Sequence, residues 1–419
     1  MKNTIFRFYK LLVNESLLRN SIYLMLSTGV TAVFGFFFWI INARLYSDEQ
    51  VGLAATLISI MTLISSFSIL GLGNGLIRYL PTSERKDKKI NTSFTLVALM
   101  SILISVIYLI FLKIFSPKLL LVRENIIFSL LFIIFAAFSS LNIISENVFI
   151  AYRSSKLVLI RNIISSIAKL ILPIFFVTLG AYGIFMSVGI ALTIAFSFSL
   201  MFLISKFNFL FKPSINKDVV KKMTKFSLGN YIAGFIGGLP VMVIPILITN
   251  SLGAEFSAYF YMAMMIANLL YVISSATSQA LFAEGSYGET GLKVYLKKAI
   301  KIISIIIIPA IIIISLFGNN ILLAFGKKYS DEGFTLLKFF SISAIFVSMN
   351  TIGSVILNIK HKIGLMILLN LLNTTIILSI IIILMKMNLF RVVDIGVAWN
   401  IGHGTTALIY LFLMKKILQ

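Results

Sequence analysis

The sequence has no cysteine, which excludes disulfides, thiolate zinc sites and cysteine nucleophiles. Its two histidines, His361 and His403, are too few for a typical zinc centre. Charge is scarce as well. Only 12% of the 419 residues are Asp, Glu, Lys or Arg, about half the share of a soluble domain. Acidic residues are the scarcest, 14 against 36 basic. No loop is long enough to house a folded catalytic domain, and there is no Walker motif, since Gly71-Leu-Gly-Asn-Gly75 lies within an apolar stretch.

What is abundant is apolar side chain, 59% of the chain. A single globular core cannot absorb that much apolar surface, so the solvent is lipid. The basic residues sit in short runs between apolar stretches. Such runs suit loops at an anionic membrane surface rather than a nucleic-acid face.

Stretches of about 20 mostly apolar residues predict an all-α integral membrane protein with twelve spans: 21–43, 52–77, 91–115, 126–151, 159–179, 182–205, 227–250, 256–282, 299–318, 334–358, 363–385 and 392–414. Residues 1–20 lack the continuous apolar core of a signal peptide and read as a cytoplasmic amphipathic segment. With that end inside, 26 of the 36 Lys and Arg lie on inner segments and 9 on outer ones; the remaining one is Lys169, within a span. The bias never inverts along the chain, which places both termini on the cytoplasmic side.

A basic connector, 206–226, divides an N-lobe (21–205) from a C-lobe (227–419), six spans each. Leu252-Gly-Ala-Glu255 echoes the first outer turn, Leu45-Tyr-Ser-Asp-Glu49, and an even number of spans per half makes the repeats parallel. Parallel six-helix lobes about an axis along the membrane normal are a transporter layout.

A lysine inside a span costs about 2.5–3.5 kcal/mol to insert and must face protein or water. Lys169 lies about 12 Å along its helix from Arg161, sharing a face with Asn162 and Ser166. Either it is a cation of an aqueous path, or it pairs with Glu146, at similar depth beside Asn142. His403, with Asn400 one turn away, reads as a proton-carrying or a plain packing residue. Arg78 reads as a path residue or as an interfacial positive charge. Asn350 and Ser354 line a polar face that suits a sugar path or helix–helix bonding. Gly237, Gly238, Pro240 and Pro245 predict a bent or locally open seventh helix, a gate hinge or a static kink. No metal site is expected.

Several stretches resemble one family in order along nearly the whole chain. These are Leu45-Tyr-Ser-Asp-Glu-Gln-Val-Gly-Leu-Ala-Ala-Thr-Leu57, Gly71-Leu-Gly-Asn-Gly-Leu-Ile-Arg-Tyr-Leu80, Gln279-Ala-Leu-Phe-Ala-Glu-Gly-Ser286 and Leu323-Ala-Phe-Gly-Lys-Lys-Tyr329. They are similar to the polysaccharide and oligosaccharide flippases (Wzx-like transporters) of the multidrug/oligosaccharidyl-lipid/polysaccharide exporter superfamily.

The resemblance implies a MATE-like, V-shaped pair of bundles moving lipid-linked oligosaccharide from the inner to the outer leaflet, through a cavity that is often cationic. The multidrug branch usually carries an acidic residue in its first helix, and the span 21–43 has none. The resulting reading is a monomeric, non-enzymatic flippase of the cell membrane for surface polysaccharide or glycoprotein synthesis. It needs no cofactor, with a coupling ion, Na+ or H+, left open. Its partners are the lipid-linked substrate, the bilayer, and a glycan polymerase or glycosyltransferases, with no nucleic acid. The alternatives are a cation-coupled multidrug antiporter and, further off, a membrane glycan polymerase.

Overall fold

A computed structural model describes residues 16–287 and 292–418, and among them every regular element is helical. Twelve long helices are apolar enough to span a bilayer. They are α1 (Ser16–Leu45), α2 (Asp48–Ser68), α3 (Lys86–Ile110), α4 (Ile126–Ala151), α5 (Ser155–Phe175), α6 (Ala181–Phe207), α7 (Lys217–Ser251), α8 (Ala254–Tyr287), α9 (Leu292–Leu323), α10 (Lys327–Ile359), α11 (Ile363–Lys386) and α12 (Val392–Leu418). The chain is a multi-pass membrane protein. The amphipathic segment expected over 1–20 lies outside the described residues except for 16–20, which open α1.

Local chemistry sets the breaks. The expected span 52–77 is interrupted: α2 ends at Ser68, and a separate helix, Leu72–Tyr79, follows a turn. Leu70 and Gly71 both have positive φ (51° and 75°), which a right-handed helix cannot continue through. The carbonyls left free at the end of α2 are met by the Tyr231 hydroxyl, which donates to Ser66 O at 2.7 Å and Phe67 O at 3.2 Å. Gly180, at φ 55° and ψ −137°, separates α5 from α6 in backbone space that is all but reserved for glycine.

The basic connector is only partly loop. Residues 208–216 lie along α3, whose Asn91 side chain donates to Leu210 O (2.8 Å) and accepts from Lys212 N (3.0 Å). Helix α7 then begins at Lys217, well before the apolar run, because Asn216 Oδ1 accepts from Val219 N at 3.0 Å. That is an N-cap, strengthened by Asp218 in the first turn.

The described residues pack as two compact units, one of 16–38 with 60–231, the other of 39–59 with 232–287 and 292–418. The first has its core among Phe94, Val148, Phe149, Phe196, Leu203 and Phe209. In the second, α8 and α10 are joined by hydroxyls as well as by packing, with Ser274 Oγ 2.6 Å from Ser348 Oγ and Tyr271 OH 2.7 Å from Ser343 Oγ. Both units turn large apolar side chains outward, among them Ile114, Phe175, Leu316, Leu408 and Phe412. A water-facing surface could not carry so many; a lipid-facing one must.

Candidate functional site

The first unit has a half-open cavity of about 240 Å3 between α1, α4, α5 and α6, with charged and polar side chains in its lining, many times the roughly 10–15 Å3 that one water needs. Asn142 and Glu146 come from α4, one turn apart, and Arg161, Asn162, Ser166 and Lys169 from α5. Asn142 and Glu146, four apart, share a face of α4, and Asn162, Ser166 and Lys169, at i, i+4 and i+7, share one of α5, with Arg161 beside it.

Arg161 is 3% exposed and fully engaged. Its Nη2 lies 2.5 Å from Glu146 Oε2. Nη1 donates to Asn142 O (2.9 Å) and Ser145 Oγ (3.0 Å), and Nε and Nη2 donate to Asn162 Oδ1 (3.2 and 3.0 Å). Asn162 in turn donates to Ser27 Oγ on α1 at 2.8 Å, and Asn142 to Leu192 O on α6 at 2.7 Å. One network therefore ties together all four walls.

This corrects two expectations. The carboxylate of Glu146 is bound to Arg161, not to Lys169. Arg161, counted from sequence among the loop cations, is a buried residue of α5. Lys169 lines the same cavity, half-buried, and its ammonium makes no hydrogen bond or ion pair among the described residues. Two cations thus line the cavity with one carboxylate, and Arg161 holds one oxygen of that carboxylate.

His403, Asn350 and Ser354 meet in a separate cavity of about 260 Å3 in the second unit, bounded by α7, α10, α11 and α12. Asn350 Nδ2 lies within 3.1 Å of His403 Nδ1, His403 O and Thr406 Oγ1. Asn400 does not reach this cavity; it stitches α12 to α10 by donating to Phe339 O at 2.9 Å. Arg78 is exposed at the end of the helix Leu72–Tyr79 and lines neither cavity. The neighbouring glycines serve close packing: a Cβ on Gly73 would fall 2.4 Å from Asn147 Nδ2, and one on Gly75 2.8 Å from Met223 Cβ.

Gly237 borders the second cavity, whereas Gly238 and both prolines lie in the same helix outside its lining. The expected local opening of the seventh helix is absent; α7 is continuous through Pro240 and Pro245. Pro240 lacks the N–H that would serve Ile236 O, and Thr374 Oγ1 donates to that carbonyl at 2.7 Å instead.

Twelve apolar helices and a cavity lined by charged and polar side chains define a polytopic membrane protein. Its likeness to solved structures is in the fold. An inward-facing multidrug resistance MATE family transporter of the MOP superfamily matches with a TM-score of 0.73 at 15% identity, over 94% of this chain and 98% of that one. An outward-facing structure of such a transporter gives 0.68 at 15%, over 97% of both chains. A MOP superfamily transporter from Pyrococcus furiosus Vc1, described as having a binding pocket of reversed polarity that suggests a different function, gives 0.65 at 15%, over 96% and 95%. A comparison with curated protein sequences found no match. The family is set by residues 17–283, well over half the chain, which match the family described as polysaccharide biosynthesis protein; the chain belongs to that family.

Proposed function

We propose that the protein is a flippase that carries a lipid-linked oligosaccharide, a sugar chain on a polyprenyl phosphate or pyrophosphate, from the inner to the outer leaflet of the cytoplasmic membrane. The observation that carries this reading is Lys169, a cation in a polar cavity with no carboxylate to itself. Unassisted crossing of such a head group is slow because its polar groups would shed water without gaining partners. A cavity offering an ammonium to the phosphate and amides and hydroxyls to the rest removes that barrier. The work needs no nucleophile, cofactor or metal. Alternating access between two helical lobes supplies the motion. An inside-negative potential favours outward movement of an anionic head by about 2.3 kcal/mol per charge per 100 mV.

The competing reading, an antiporter of cationic drugs, is favoured by the fold likeness alone. A cationic drug would need carboxylates in excess of the cations around them, and this cavity sets Arg161 and Lys169 against Glu146 alone. Membership in a polysaccharide biosynthesis family supports the glycan-linked substrate.

Lys169→Ala tests the assignment, because removing a buried charge eases membrane insertion rather than impeding it. In proteoliposomes, translocation of a labelled polyprenyl-pyrophosphate sugar should slow roughly 10- to 100-fold, the worth of a charge-assisted hydrogen bond. Lys169→Arg should recover part of the rate. An unchanged rate in Lys169→Ala would remove Lys169 from the substrate path.

A further inference from the structure

The two cavities occupy matching helices of their units: α1, α4, α5 and α6 in the first, α7, α10, α11 and α12 in the second. The match extends to residues. Asn142 and Asn162 have their counterparts in Asn350 and Asn370, each 208 positions further on. The bonding repeats too. Asn162 donates to α1 and Asn370 donates to Ala233 O on α7 (2.9 Å); Asn142 donates to an α6 carbonyl and Asn350 to an α12 carbonyl. The charges do not repeat. At the same offset Glu146, Arg161 and Lys169 give way to Ser354, Leu369 and Ile377. The second cavity has kept the polar frame and lost every charged residue from its lining.

The Asn350 and Asn370 amides and the Thr351 and Thr406 hydroxyls each donate to protein acceptors. Three buried polar atoms of the lining have no partner among the described residues, the acceptors Asn350 Oδ1 and Asn373 Oδ1 and the hydroxyl of Tyr410, which can donate and accept. Turning the Asn350 amide over does not help, since its oxygen would then face the carbonyl of His403, which can only accept. Asn373 is 93% removed from solvent contact, being 7% exposed, and lines the cavity. Gly402 leaves room for it, because a Cβ there would lie 2.9 Å from Asn373 Oδ1. Buried acceptors beside a free hydroxyl in a roomy cavity call for a ligand whose groups both donate and accept, as sugar hydroxyls do. A phosphate only accepts when fully ionised, and the lining has no cation to hold it. A hard metal cation would normally be met by at least one carboxylate, and the lining has none.

We infer that the uncharged cavity of the second unit is a sugar subsite, taking a neutral pyranose whose hydroxyls donate to Asn350 and Asn373. This assignment deepens the flippase reading, since the sugar is the part of a lipid-linked oligosaccharide that the cations of the first unit leave unbound. It makes the preferred head-group sugar one without carboxylate or amine.

The experiment uses the full chain in nanodiscs with Trp39→Phe, which leaves Trp399, whose ring centroid is 4.9 Å from that of His403, as the only tryptophan. Methyl glycosides of glucose, galactose, mannose, rhamnose and N-acetylglucosamine are titrated against Trp399 emission, with saturation-transfer NMR in parallel. At least one should bind saturably. Asn373→Leu should weaken it about tenfold, as loss of a buried acceptor predicts, and Ser354→Leu, which fills the cavity, should do the same. Asn373→Asp, which keeps the acceptor, should retain binding, and Leu408→Ala on the lipid face should change nothing. Saturation by none of the five sugars, binding that survives both leucine variants, or occupancy by Na+ in their place each overturns the subsite. Intact sugar binding in a protein that fails to move lipid-linked sugar would count against the flippase reading and leave the subsite standing.

Discussion

A guanidinium has five N–H donors and stays charged at any physiological pH, so a buried arginine must be met by acceptors all round. Arg161 is met by Glu146, Asn142, Ser145 and Asn162. Removing the carboxylate leaves that charge uncompensated. Glu146→Ala should therefore destabilise the first unit by about 1–3 kcal/mol, less than the roughly 3–5 of a wholly buried pair because the Glu146 side chain is 37% exposed. Thermal unfolding of the purified protein reads this directly, and a midpoint equal to wild type would show that the pair is not structural. Lys169→Ala should leave the same midpoint unchanged or raise it. Arg161 and Lys169, two of the three basic residues of α5, thus separate by assay, one in stability and the other in transport.

At the scale of the element, α7 and α11 are held together by a defect. Pro240 deprives Ile236 O of its helical partner, and Thr374 supplies a hydroxyl from α11. Thr374→Val, similar in shape but without the donor, should cost about 1–2 kcal/mol. Pro240→Ala restores the missing N–H, so Thr374→Val in that background should be nearly silent, and the double-mutant cycle should show coupling of about 1 kcal/mol. Additive effects would show that Thr374 does not replace the proline's missing bond. The sequence carried both prolines plainly, but their consequence depends on a threonine 134 positions away from Pro240, which hydropathy does not register. The limits of reading are similar elsewhere. The spans were legible because lipid demands about 20 apolar residues. The break at Gly71 and the early start of α7 were not, since the one depends on two positive φ angles and a tyrosine from another helix and the other on a single asparagine cap. Lys169 and Glu146 stood out as charges within spans. Arg161 did not, because it lies six residues past the start of α5 and a charge count treats any cation near a loop as part of it. Its spacing of one residue from Asn162 and eight from Lys169 was the available signal.

At the scale of the whole molecule, the protein carries the same four-helix frame twice, with a cationic cavity in one unit and a neutral one in the other. The repeat keeps its asparagines at an offset of 208 positions and changes its charges. The central claim is movement of a lipid-linked oligosaccharide. The most direct measurement places labelled polyprenyl-pyrophosphate oligosaccharide in proteoliposomes and follows its access to an impermeant quencher or enzyme on the far side. The account predicts protein-dependent transfer, faster when the membrane potential draws the anionic head outward and slowed by Lys169→Ala. Transfer no faster than in protein-free vesicles, with uptake or extrusion of cationic dyes in its place, would contradict it.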